Sequence, residues 1–306
     1  MEIGKEDRCL LNSDRRITVI AYECGFADAV HFIRDFKTRL RYTVDYQLIF
    51  FLSAQPPIKS DSRSKTHITK KTSTMAQQNR AHIVLASLTL AGGLRYPSAL
   101  GHLIRTASIA AYLASVMELD DAEQQSIYLT APVHDVGKLG IPDDVLLKPA
   151  SLTEDEHKVM QRHSSIGADL LAGSADTLLR LAADVARHHH EHYDGDGYPA
   201  GLAGENIPLS ARVVAIADAF DAMVETRVYR EGMKEEDAHR AIEERSGQYF
   251  DPSLVALFLK QASGIQRVRA AAEDLVSRYG MVSAVTRFYG VRGHSPAFFE
   301  HIRALT

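Results

Sequence analysis

The chain has 306 residues, enough for two domains or for one domain with extensions. Its 45% hydrophobic and 24% charged residues are globular values and exclude a disordered or collagen-like chain. Residues 1–75 hold 13 Lys/Arg against 9 Asp/Glu, whereas residues 76–306 hold 22 against 30, and an acidic body is a poor general nucleic-acid surface. A phosphorylated substrate would therefore need local cations, either metals or a few placed Lys and Arg. The two cysteines, Cys9 and Cys24, disfavour a disulfide framework and a cysteine-rich zinc site. The first 30 residues lack a signal-peptide core, and the longest uncharged apolar run, Ile83 to Leu94, is too short for a bilayer. A soluble, cytosolic chain that meets no membrane is expected.

In chain order, residues 16–46 read as two short helices. Ile17, Ile20 and Ala21 make one apolar face, Gly25 breaks it, and Phe32 and Phe36 lie one turn apart on the second. The run ITVIAYECGFADAVHFIRDFKTRL resembles the second helix-turn-helix of AraC-type transcription regulators, with Ile20, Ala21, Gly25, Phe26, Phe32 and Phe36 at that family's core positions. It covers only the last part of a domain that normally has two such units, and Val44 stands where a proline is expected. Arg34, Lys37, Arg39 and Arg41 could meet phosphates, but a solvated basic face is the expectation over specific DNA contact. Residues 1–50 are thus assigned to a partial helix-turn-helix segment, and the Ser-, Lys-, Thr- and Pro-rich residues 51–76 to a linker.

Residues 77–263 are expected to form an all-α bundle. Leu103, Ala110, Leu113 and Met117 make one helical stripe, and Ile104, Ala107, Ala111 and Ala114 another; a helix apolar on two sides belongs inside a bundle. Asp120 with Glu123, and Thr153 with Glu156, have capping-box spacing. Pro142, Pro149, Pro199 and Pro208 fall between helical stretches, and no strand-type alternation is evident.

Eight of the 14 histidines lie between positions 102 and 192. Any one of them is more often incidental than a ligand, but histidine clustered with carboxylate suits Fe, Mn or Zn. His134-Asp135 lies among apolar neighbours in APVHDVGKLGIP, and a buried pair of this kind needs a metal or hydrogen bonds. Lys138, four residues on, reads as lying on the same helix face, either contacting a substrate phosphate or bridging to a neighbouring carboxylate. In HHHEHYDGDGYP, from His188 to Pro199, adjacent histidines could converge on a metal at a helix end, with Gly195 and Gly197 allowing a tight loop after them. Asp218, in the apolar run ARVVAIADAFDAM, would be a buried unpaired charge without a cation; Asp221 is one turn away, and periodicity does not choose between them.

His134-Asp135 followed by HHE and GYP resembles the HD-GYP subgroup of HD-domain metal-dependent phosphohydrolases, over about residues 98–259 and including RVYR and SGQYFDPSLV. The resemblance implies an HD-type helical domain that hydrolyses cyclic di-GMP to linear dinucleotide, GMP or both at a centre holding iron or manganese. By position it implies that His102, His134, Asp135, His163, His189, His190 and Asp218 ligate the metals, Asp135 bridging two of them. Lys138 would meet the scissile phosphate, Arg227 and Arg230 would hold the substrate's phosphates, and Tyr198 lies in the loop that gives the subgroup its name. His157, His188 and His192 are left as non-ligands. Trinuclear members carry a glutamate where this chain has Ser98, which favours two metals over three. The alternatives are a catalytically silent cyclic dinucleotide receptor and a nucleotide-sensing transcription regulator.

Residues 264–306 read as a basic extension with one helix around Arg267 to Tyr279 and a further short segment. Its arginines are expected to be solvated. Packing on the body, a homodimer or a signalling-protein partner are the roles open to it.

Overall fold

Twelve α-helices run through the described residues: α1 (Ile68–Arg95), α2 (Ala99–Val116), α3 (Asp121–Thr130), α4 (Asp143–Leu146), α5 (Glu154–Gln161), α6 (His163–Leu171), α7 (Thr177–His188), α8 (Leu209–Val224), α9 (Glu235–Glu243), α10 (Pro252–Lys260), α11 (Ala262–Phe288) and α12 (Ala297–Arg303). This computed structural model describes residues 68–95, 99–226, 231–291 and 297–305, with side chains from residue 80 onward. The helix-turn-helix resemblance of residues 1–50, Ser98, Arg227 and Arg230 lie outside the described residues. Among those described there is no strand, only an isolated bridge between Ser246 and Phe250. The all-α expectation holds.

Helix α2 is the axis of the bundle. Ala107, Ala110, Ala111 and Ala114 are small enough for neighbours to approach on every side, and α1, α3, α8 and α11 all pack on it. Both stripes read from the sequence are buried, except that Met117 lies just past the helix end and is half-buried. Among the described residues α2 is also the one helix long and apolar enough to cross a membrane, but 83% of it is buried inside the bundle. Its apolar character therefore has a core to fill.

The capping boxes form as their spacing predicts. The Asp120 side chain accepts from the Glu123 N–H at 2.8 Å and Glu123 reaches back to the Asp120 N–H, and Thr153 and Glu156 do the same for α5. Pro142 and Pro208 cap the starts of α4 and α8.

Two boundaries differ from the sequence reading. Helix α1 begins at Ile68, inside the stretch assigned to a linker. That stretch lacks an apolar stripe, so its composition concealed a helix that continues unbroken into the core. The edge drawn between residues 263 and 264 falls inside α11, which is kinked at Gly280 and whose inner face buries Ile265, Val268, Ala272 and Leu275. At its far end Tyr128 stacks on Phe288 at 4.0 Å and donates from its hydroxyl to the Phe288 carbonyl at 2.9 Å. Phe299 and Ile302 of α12 complete that part of the core. The extension packs on the body as part of one hydrophobic interior.

Candidate metal centre

His134 and Asp135 sit between two 3₁₀ turns, Ala131–Val133 and Val136–Gly140. The α-helical reading of this segment needs correction. With three residues per turn, Lys138 eclipses Asp135 rather than His134, and its ammonium pairs with Asp135 Oδ2. The tight turn follows from Gly137: a Cβ there would lie 1.8 Å from the His163 carbonyl oxygen and 2.5 Å from the Gly167 N–H nitrogen. Only glycine lets this backbone rest on α6, and that contact brings the His-Asp pair to His163.

Three imidazoles are held alike. His134 Nδ1 lies 2.8 Å from the Ala131 carbonyl, His163 Nδ1 2.7 Å from Met160, and His189 Nδ1 3.0 Å from Ala186. A carbonyl only accepts, so each Nδ1 carries the proton and each Nε2 is left with its lone pair. All three Nε2 atoms point to one carboxylate. Asp135 Oδ1 faces His163 Nε2 at 3.4 Å and His189 Nε2 at 3.8 Å, while Oδ2 faces His134 Nε2 at 3.5 Å. His134 Nε2 is buried with no hydrogen-bond partner, an arrangement that a positive ion at that lone pair would satisfy.

His189 and His190 follow the last residue of α7, where the helix unwinds, so consecutive side chains converge as the helix-end reading predicts. His190 stacks on Tyr198 at 4.9 Å and 26°. Burial, with the neighbouring His189 and His163, holds the His190 pKa well below its ordinary value; burial likewise lowers His163 to about 3. Both imidazoles are neutral near pH 7, the form in which histidine ligates.

Helix α2 supplies His102 and α8 supplies Asp218, whose carboxylate lies 2.9 Å from His102 Nε2 and 3.7 Å from His134 Nε2. The sequence reading made Asp218 the buried unpaired charge. Its side chain is 18% exposed and paired; Asp221 is the fully buried one, at 0%, and it accepts from His102 Nδ1 at 2.9 Å. Burial works to lower the His102 pKa, but the hydrogen bonds to Asp218 and Asp221 outweigh it and raise the value to about 10. Burial would raise the Asp135 pKa, yet the Lys138 ammonium holds it well below the usual carboxylate range.

The candidate ligand atoms gather into two groups, Asp135 with His163, His189 and His190, and His102 with His134 and Asp218; within each they lie within 4.8 Å of one another. Imidazole nitrogen and carboxylate oxygen without thiolate form a donor set for first-row divalent metals, and the orphaned His134 Nε2 and neutral His163 and His190 fit such ions. The HD domain family profile matches residues 68–254. The chain belongs to the HD-domain family.

This HD domain is 43% identical over 180 residues to the cyclic di-GMP phosphodiesterase response regulator RpfG of Xanthomonas campestris, covering 59% of the chain and 46% of the relative. It is 41% identical over 173 residues to a cyclic di-GMP phosphodiesterase of Thermotoga maritima, with 56% and 47% coverage. It is 38% identical over 173 residues to 3'3'-cGAMP-specific phosphodiesterase 2 of Vibrio cholerae, with 56% and 33% coverage. The chain thus spans less than half the length of each of these relatives.

Three side chains that shape the HD site were not singled out from the sequence. Glu191, buried beside His190, accepts from the Ala200 and Leu202 N–H groups at 2.9 and 3.0 Å and so folds the GYP loop back over the histidines. Arg105 and Arg269 both donate to Asp221. Glu191 could have been suspected as a carboxylate inside the histidine run. The two arginines carry no local signal, because their partner is distant in the chain.

Proposed function

We propose that this HD domain is a metal-dependent phosphodiesterase that hydrolyses cyclic di-GMP at a binuclear centre of iron or manganese. The observation that carries this reading is Asp135, whose two oxygens face the two ligand groups separately, one toward His163 and His189 and the other toward His134. A carboxylate so placed suits a bridge between two cations. The names of the relatives support the substrate class, and the cGAMP-specific relative makes a mixed cyclic dinucleotide the second candidate. His102, His134, Asp218 and one Asp135 oxygen would hold one ion; His163, His189, His190 and the other oxygen would hold the second. Ser98, in place of the subgroup's glutamate, favours two ions.

When bound, divalent cations activate water and neutralise charge growing on phosphoryl oxygens. The chain's own residues do the rest. Lys138, held at the mouth of the site by Asp135, presents its ammonium to the scissile phosphate. Arg227 and Arg230 would hold the substrate's phosphates by the resemblance of RVYR, and Tyr198 packs on His190 in the GYP loop. Water oxygen bonds to phosphorus, the bond to the 3′ oxygen breaks, and that oxygen takes up a proton to give the linear dinucleotide. A second hydrolysis gives GMP.

The test is product analysis with cyclic di-GMP on protein purified without oxygen, with metal content measured on the same sample. Linear dinucleotide or GMP is expected with about two Fe or Mn per chain. Asp135→Ala should lose metal and activity together, and retained activity in that variant would overturn the site. A filled centre that forms no product would favour a silent cyclic dinucleotide receptor.

A further inference from the structure

Asp221 collects two guanidinium groups and an imidazole. Its Oδ2 accepts from His102 Nδ1 at 2.9 Å and from Arg105 Nε at 3.1 Å; its Oδ1 accepts from Arg105 Nε at 2.9 Å and from Arg269 Nε at 2.7 Å. The side chain is fully buried. A buried carboxylate needs such neutralisation, since an uncompensated charge there is costly. Arg105 extends the network, donating to Glu225 at 2.5 Å and to Glu273 at 2.7 Å.

Arg269 and Glu273 lie one turn apart on α11, beyond the residues matched by the family profile, which ends at 254. The helix is docked where it can hold them: the Tyr112 hydroxyl of α2 donates to Gln261 Oε1 at 2.9 Å, and Ile265, Val268 and Ala272 are buried beneath. Arg269 differs from its neighbours Arg267 and Arg278, which are exposed as expected of a solvated basic helix.

His102 is held differently from the other imidazoles. His134, His163 and His189 take their orientation from carbonyls three residues back, so their own backbone sets the tautomer. His102 lies in the first turn of α2, and its Nδ1 is turned to a side chain from α8. A carboxylate on the far nitrogen fixes ring and tautomer and raises the basicity of the nitrogen facing a metal.

We infer that the C-terminal helix α11 is a working part of the metal centre, with Arg269 and Asp221 acting as positioning residues that set His102 and so tune the His102–His134–Asp218 cluster and not the other. The inference rests on the reading of His102 as a ligand. It extends that reading, because it places the determinant of one metal's affinity outside the matched region.

The experiment is Mn(II) titration of the metal-free 306-residue chain, followed by calorimetry and by the free Mn(II) spin-resonance signal. His102→Ala and His190→Ala assign each binding step to its cluster. Arg269→Ala should weaken the His102 step about 10–100-fold and leave the other unchanged, while Arg269→Lys restores part of the loss and Arg278→Ala has no effect. Asp221→Asn should weaken the same step. Should an Asp221 variant fail to fold, Arg269→Ala still decides, because that side chain is 23% exposed at the edge of the network. Unchanged affinity in a folded Arg269→Ala, or equal weakening of both steps, overturns the inference alone. A wild-type chain that binds no Mn(II) overturns it together with the proposed metal centre. Two-step binding with no phosphodiesterase turnover counts against the function and leaves the inference supported.

Discussion

Lys138 and Asp135 form an ion pair across one 3₁₀ turn, so a single contact keeps the carboxylate ionised and holds the ammonium at the site. The two roles separate by mutation. Lys138→Ala leaves every proposed ligand in place, and its expected outcome is metal content near wild type with kcat lower by about 10²–10³-fold, the usual cost of losing one charge-stabilising donor. Metal analysis beside steady-state kinetics checks this; loss of metal would make Lys138 only the counter-ion of Asp135. Asp218 and Asp221, one turn apart and equal in the sequence pattern, are also separated by their partners. Asp218 faces two imidazoles near solvent, whereas Asp221 is enclosed by two arginines and His102.

The segment from the end of α7 to the start of α8 has little helix of its own, yet it is tied at both edges. Glu191 grips two of its N–H groups, and Tyr193 and Asp194 donate from their backbones to the carbonyls of Tyr249 and Gln248. The SGQYFDP stretch is therefore a support for the GYP loop. Gly197 sets the fold of this loop: a Cβ there would lie 2.1 Å from the His192 nitrogen and 2.5 Å from the Glu191 Cα, so backbone would have to move. Gly197→Ala is expected to keep the helical circular-dichroism signal, lose about 1–3 kcal/mol of stability, and lower activity through displaced His190 and Tyr198. Wild-type stability and KM would show that the loop accommodates a methyl group.

Across the whole molecule, Asp251 joins distant helices. It caps α10 by accepting from Ser253 N–H at 2.8 Å, and it pairs with Arg212 of α8. Burial would raise its pKa, but Ser253 and the Arg212 guanidinium outweigh burial and lower it. A carboxyl with a depressed folded pKa adds stability above its ordinary value of about 4 and loses it as pH falls through the folded value. Asp251→Ala should therefore cost about 1–2 kcal/mol at neutral pH, with the gap to wild type closing below about pH 4. Urea unfolding across that range measures it, and a gap independent of pH would assign the loss to packing. The C-terminal extension belongs at this scale too. Phe288, Tyr289, Phe299 and Ile302 are buried with α1 and α3, so α11 and α12 complete the core.

Helix periodicity, capping boxes and prolines are local, so the all-α class, the starts of α3 and α5 and the buried stripes of α2 were legible in order along the chain. The His134-Asp135 and HHE runs were legible as candidate ligands, because side chains held by their own backbone carry their context with them. The linker over residues 68–76 was misread, since a helix whose residues show no stripe leaves no periodic trace. What lay beyond the sequence was pairing at long separation. Arg105 meets Asp221 across 116 residues and Arg269 meets it across 48, and only the packing of α2, α8 and α11 decides that a basic residue on a C-terminal helix turns inward. The choice between Asp218 and Asp221 had the same cause: their spacing is identical, and burial and partners are properties of the assembled bundle.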